Sequence, residues 1–193
     1  MSWYDDCAKN VSWEYNGSPD PWSKNPHDAN WMPYDDLTND MIEEAFQEKT
    51  ETVSIGAYYI DLKPGRMIQA NKEDKNRQRP VRRMQLGMTE SSIERQARFT
   101  EVEKPTSKSV SNSSVCMSPF VNEWIRRNPN YKFKDDTIEK LAAGLLREGE
   151  LLGMSDQANF LARRLRKNKG APHDEIAKFC VKVYTKESWV YKL

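Results

Sequence analysis

Histidine, cysteine and glycine are all scarce in this chain, at 2, 3 and 8 of 193 residues. His27 sits in a Pro/Asn/Asp-rich loop and His173 at a helix start, the places of solvated or capping side chains. Cys7, Cys116 and Cys180 are odd in number, far apart and without CxxC spacing, so neither a zinc site nor a disulfide framework is indicated. A reduced intracellular setting, cytoplasmic or nuclear, fits them, and Cys180 reads as a small buried apolar residue. No GxSxG, Walker A, HExxH or GxGxxG motif is present, so no catalytic residue, metal ligand or cofactor is assigned. No apolar run approaches the roughly 20 residues of a membrane span. The opening MSWYDDCAKN lacks the apolar core of a signal peptide. Neither charge sign dominates: 30 Lys and Arg face 29 Asp and Glu, a net charge of +1 without a global pull toward nucleic acid or membrane. Hydrophobic residues make up 37%, which predicts that part of the chain stays outside a packed core.

What is present divides into three zones: residues 1–88, rich in aromatics and turn formers; 89–119, a Ser/Thr/Lys-rich linker; and 120–193, with helical periodicity. In the first zone LTNDMIEEAFQEKTE reads as a short helix. Thr38 is its expected N-cap, Leu37 and Ile42 its staple, and Ile42, Ala45 and Phe46 its apolar face. The period then changes to two. TVSI and YYIDL, separated by GA, form a hairpin; KPGR turns the chain into MIQAN; and a polar loop leads to RPVRRM. With strands around Trp13 and Trp31 the sheet has six members, and the helix packs on its concave face.

Alternation puts Tyr58, Ile60 and Leu62 on one face and Met67, Gln69 and Asn71 on one face of the next strand. Gln69 is a polar residue in a half-buried strand, so its amide needs a partner from the protein or from a ligand. Arg77, Arg79, Arg82 and Arg83 follow closely. Arginine forks match phosphate oxygens, and with aromatic faces and an amide they suit a planar base carried on phosphates. A solvated hairpin with ordinary surface charge is the other reading of the same residues.

The pieces Trp13-Glu14-Tyr15-Asn16-Gly17, Trp31-Met32-Pro33-Tyr34-Asp35, Ile42-Glu43-Glu44-Ala45, Tyr58-Tyr59-Ile60-Asp61-Leu62, Met67-Ile68-Gln69 and Arg79-Pro80-Val81-Arg82-Arg83 stand in an order that resembles the WWE domain, over about residues 12–84. The resemblance implies an α+β fold, an antiparallel half-barrel of six strands with one helix. It also implies recognition of the iso-ADP-ribose unit of poly(ADP-ribose), or of ADP-ribosylated protein. The family occurs in ubiquitin ligases and ADP-ribosyltransferases. By the resemblance Trp31 and Tyr58 flank an adenine pocket, Gln69 meets polar edges of the ligand, Arg79 holds phosphate, Tyr15 lines the rim, and Arg82 or Arg83 assists. Trp13 belongs to the core. The sequence departs from the family in the long Gly17-to-Trp31 segment, with Trp22, Pro19, Pro21 and Pro26, in the KPGR turn, and in Glu14, which stands where some ligand-binding members place an aromatic.

In the third zone Ile138, Leu141, Ala142, Leu145 and Leu152 form one stripe. A second helix, capped by Ser155, buries Ala158, Leu161, Ala162 and Leu165. A third buries Ile176, Phe179, Cys180 and Val183. A fourth is expected to start at a Thr185 cap, with little left for Trp189 to pack on. Arg163, Arg164, Arg166, Lys167 and Lys169 read as a solvated face, with nucleic-acid contact as the lesser alternative. The last segment, VYTKESWVYKL, resembles the opening of arginine-type ADP-ribosyltransferase domains through Tyr184, Thr185, Ser188 and Tyr191. On that resemblance the catalytic part, and any use of NAD, would lie beyond Leu193. The expected functions are therefore an ADP-ribose-binding module, a fragment of a transferase without its catalytic part, or a protein- or nucleic-acid-interaction module.

Overall fold

The computed structural model describes residues 10–87, 123, 126–127, 135–185 and 189–192. The expected linker, residues 89–119, lies outside the described residues. The first lobe runs β1 (Val11–Asn16), a 3-10 turn (Pro26–Asp28), β2 (Trp31–Pro33), α1 (Asp36–Gln47), β3 (Thr52–Ile55), β4 (Tyr58–Asp61), β5 (Ile68–Asn71) and β6 (Gln78–Gln85). Every neighbouring pair is antiparallel, and the six strands lie in the order β2-β1-β6-β5-β4-β3. This is the six-stranded open sheet with one helix that the sequence predicts. The helical segment follows as α2 (Asp135–Leu151), α3 (Ser155–Lys167), α4 (His173–Thr185) and a 3-10 turn (Trp189–Lys192).

Alternation sorts β1 into Val11, Trp13 and Tyr15 on the inner face and Ser12, Glu14 and Asn16 on the outer. Trp13 is fully buried among Val11, Tyr34, Ile42, Ala45, Ile60, Leu62 and Val81. Its indole Nε1 donates to Glu43 at 2.8 Å, and Phe46 meets the ring edge-on at 5.4 Å. Burying a large aromatic with its N–H satisfied is what a small half-barrel needs to close on one helix.

The N-cap of α1 is Asp35, not Thr38: its side chain accepts from the backbone N–H of Leu37 and Thr38, while the Thr38 hydroxyl donates to Asp35 at 2.7 Å. A carboxylate outcompetes a hydroxyl for two free donors at the positive end of a helix. Two helical expectations are corrected in the same way. The residue before α3 is Met154, without a side-chain cap, because Gly153 (φ +69°) turns the chain so that Ser155 is already helical. Thr185 ends α4 rather than starting a helix, and Trp189 lies in a 3-10 turn.

Ile138, Ala142, Ala162, Leu165, Ile176 and Phe179 form the core of the helical segment. Leu141 and Leu152 are exposed, and so is Cys180, contrary to expectation. Ile176, Phe179 and Val183 already complete the inward stripe of α4, and Cys180 falls one position, about 100°, around the helix from Phe179. A further cluster joins the two lobes: Leu37 and Met41 of α1 are buried with Ala158, Phe160 and Leu161 of α3 and with Trp189. Trp189 therefore has an extensive partner surface, which the sequence does not predict. Of the basic residues expected on a solvated face, Arg163, Arg166, Lys167 and Lys169 are exposed, while Arg164 is half-buried. Arg163 and Arg164 bind Glu44 at 2.6 and 2.7 Å, and Arg166 binds Glu139 at 3.0 Å. The seam also holds a cavity of about 460 Å³ between β3, α1 and α3.

Candidate ligand-binding face

The inner face continues past the core toward the ends of β4, β5 and β6. Cross-strand partners place Ile60 opposite Gln69 and Gln69 opposite Arg79, so the amide and the guanidinium start from one face. Tyr58, two residues before the buried Ile60, shares that face and pairs with Asn71. It is 37% exposed. Tyr15 pairs with Val81, and its ring centroid lies 5.2 Å from that of Tyr34.

Tyr34 organises the group. It is buried, and its hydroxyl lies 2.6 Å from the Oε1 of Gln69. Burial, reinforced by neighbouring Tyr15, holds its phenol proton well above the ordinary range, so the hydroxyl stays a donor. Gln69 Oε1 accepts, and its Nε2 is left with no protein partner among the described residues. The need of this amide is thus half met by protein, with the donor end open.

Arg79 is held differently from its neighbours. Its Nη1 donates to the carbonyl oxygens of Asn16 and Ser18 at 2.8 and 2.9 Å. Both carbonyls stand where the long segment after β1 begins. That segment is ordered by Asn16, whose side chain accepts from the backbone N–H and hydroxyl of Ser18 and donates to the Pro21 carbonyl. Neutral carbonyls orient the guanidinium without neutralising it, and no carboxylate pairs with Arg79 among the described residues.

The other candidates fall elsewhere. Arg82 forms an ion pair with Glu14 at 2.5 Å and lies 4.3 Å above the Trp31 ring. Trp31 pairs with Asn16, and Arg82 with Glu14, both on the outer face, so Trp31 and Arg82 stand across the sheet from Gln69. Arg83 makes a fork with the two oxygens of Glu43, at 2.9 and 2.8 Å. Burial alone would raise the Glu43 carboxyl, but hydrogen bonds from Arg83, Gln47 and Trp13, with the Arg83 charge, outweigh it and hold the group below the usual carboxylate range. Arg77 lies 3.5 Å from Asp74. The structure therefore brings together Tyr15, Tyr58, Gln69 and Arg79 and adds Tyr34, which sequence reasoning placed in the WxxYD motif but assigned no role. The signal was there: an aromatic hydroxyl one residue before a helix cap, close to a polar strand residue only once the sheet is closed. Trp22 is exposed and joins neither face.

The WWE domain family model matches residues 11–83. These residues are a WWE domain. The match spans β1 through most of β6, nearly all of the half-barrel, and leaves the helical segment outside. WWE domains are associated with binding of ADP-ribose and poly(ADP-ribose) and serve as interaction modules. Searches of curated proteins and of solved structures returned no match. Among the described residues no helix is long and apolar enough to cross a membrane, and no cluster of His, Cys, Asp or Glu could hold a metal ion.

Proposed function

We propose that this WWE domain binds iso-ADP-ribose or ADP-ribose units of poly(ADP-ribose) or of ADP-ribosylated proteins, in an intracellular setting, cytoplasmic or nuclear. One observation carries the reading: Arg79, oriented by two carbonyls and free of any carboxylate partner among the described residues, stands opposite Gln69, whose amide donor is open. An unneutralised guanidinium beside an open amide donor fits phosphate next to the polar edge of a base or ribose. Tyr58 offers a face for stacking, and Tyr15 closes the far side against Tyr34. Trp31, Arg82 and Arg83 are left out of the contact set, since their charges and rings are engaged on the outer face or at α1.

Calorimetry with iso-ADP-ribose and ADP-ribose tests this. Gln69→Ala and Arg79→Ala should each remove hydrogen bonds to a charged ligand, on the order of 1.5–3 kcal/mol, or roughly ten- to a hundredfold in affinity. Arg126→Ala serves as the control, because that side chain is exposed and bonds only Glu123 among the described residues. Full affinity in both inner-face variants would put the site elsewhere. Equal, strongly salt-dependent binding of plain RNA would replace the ADP-ribose reading with a nucleic-acid one.

A further inference from the structure

The β3–β4 hairpin that carries Tyr58 turns through Gly56 and Ala57, with Gly56 at φ +67°, where glycine is favoured. The Leu62 N–H donates to the Glu51 carbonyl, and Tyr58 faces Ile55 across the turn. In an antiparallel pair bonded positions alternate, so the backbone groups of Thr52, Ser54 and Gly56 point away from β4, to the open edge of the sheet. A side chain of α3 meets that edge at its tip. Asp156, in the first turn of α3, accepts from the Ser54 hydroxyl at 2.6 Å and from the Gly56 N–H at 2.9 Å. Lys72 Nζ completes the group, 3.4 Å from the same carboxylate oxygen and within hydrogen-bond reach of the Ser54 hydroxyl. Burial opposes the charge on Asp156, but these donors and the lysine prevail and keep it ionised.

Two of the three donors border Tyr58. Gly56 is two residues before it. Lys72 follows Asn71, its cross-strand partner, and the Lys72 N–H donates to the Ala57 carbonyl at 3.0 Å. Tyr58 itself, exposed at the strand's end, has no hydrogen bond to its hydroxyl among the described residues, so the hairpin backbone sets where its ring stands. We propose that Asp156 is a positioning residue for the ligand face. Through it the helical segment, some 100 residues along the chain, holds the hairpin tip and thereby Tyr58 in the place a ligand base would stack on. The inference rests on the ADP-ribose reading. It makes the affinity of the WWE domain depend on docking of α3, whose hold is extended by the Gln157–Thr38 bond of 2.9 Å and by the arginine pairs with Glu44.

The test uses the full chain and iso-ADP-ribose, with thermal melts to verify folding. Asp156→Ala should weaken binding about 2- to 30-fold, the span expected for residues that act through others. Asp156→Asn, which keeps an acceptor for Ser54 and Gly56 but not the charge facing Lys72, should fall between the unsubstituted chain and Asp156→Ala. A residue acting through Tyr58 loses its effect when Tyr58 is gone: Asp156→Ala should cost nothing further in a Tyr58→Ala background, yet remain additive with Gln69→Ala. Without ligand, amide exchange at Gly56, Ala57 and Tyr58 should quicken in Asp156→Ala while that of Val81 stays unchanged. Full additivity with Tyr58→Ala, or unchanged exchange at the hairpin tip, overturns the proposal. If the unsubstituted chain binds neither iso-ADP-ribose nor ADP-ribose, the ADP-ribose reading falls and the affinity effect with it, while the exchange arm separates that failure from a failure of the clasp.

Discussion

Replacing Glu43 separates the arginines that hold the fold from the one offered to a ligand. Glu43 is wholly buried, and its oxygens take Trp13 Nε1 at 2.8 Å, Gln47 Nε2 at 3.0 Å and the Arg83 fork. Glu43→Ala strands the buried indole N–H, a loss of about 1–3 kcal/mol, and leaves Arg83 without its partner. Breaking a buried pair costs about 3–5 kcal/mol in total. Arg83 is 27% exposed and can turn toward water, so the lower end applies, about 3 kcal/mol. At about 2–4 °C per kcal/mol for a chain of this size, the melting midpoint should drop by roughly 10 °C. The pH dependence gives the sign. Folded Glu43 titrates below its ordinary value of 4.5, so its contribution is complete above that pH and is lost as the pH falls through the folded value. Urea unfolding of Glu43→Gln should lack this part of the acid loss. Arg83→Ala should reverse it, because a buried, unpaired carboxyl has a raised pKa and favours the folded state only as it becomes protonated. Glu43→Gln with unchanged midpoint and unchanged acid slope would refute the reasoning.

Gly149→Ala should destabilise the helical segment even though alanine is the better helix former by roughly 1 kcal/mol. Its Cβ would stand 2.2 Å from that of Ala158, forcing α2 off α3 at about 1–3 kcal/mol net, read by urea unfolding. Tyr34→Phe should leave the sheet intact by circular dichroism yet weaken iso-ADP-ribose binding about two- to tenfold, since Gln69 loses the bond that orients its open donor. Trp189→Ala should lower stability by about 3–5 kcal/mol and quicken amide exchange in both α1 and α3; an effect confined to the last turn would mean that the shared cluster contributes little.

The six strands, their order along the chain, the single helix between β2 and β3 and the core position of Trp13 were legible in the sequence. They follow from local rules: period-two and period-3.6 alternation, turn formers, and motif pieces in fixed order. The candidate site was half legible. Gln69 stood out as a polar residue in a buried strand, and Arg79 as one of four arginines that composition cannot rank. Ranking them needed tertiary structure, because it depends on which carboxylate each reaches: Glu14 for Arg82 and Glu43 for Arg83, across 68 and 40 residues of chain, and two carbonyls for Arg79. Helix caps slipped by one to three residues, because Asp35 and Thr38 carry competing cap chemistry at α1 and Gly153 turns the chain just ahead of α3. The docking of α3 on the half-barrel left no periodic signal at all. Asp156, Trp189 and Arg164 look like ordinary cap, terminus and surface residues until the fold closes. The roles of Asp156 and Arg164 come from distances of about 3 Å between groups 100 or more residues apart, and that of Trp189 from burial in a cluster with Leu37 and Met41; a one-dimensional pattern does not contain such proximities.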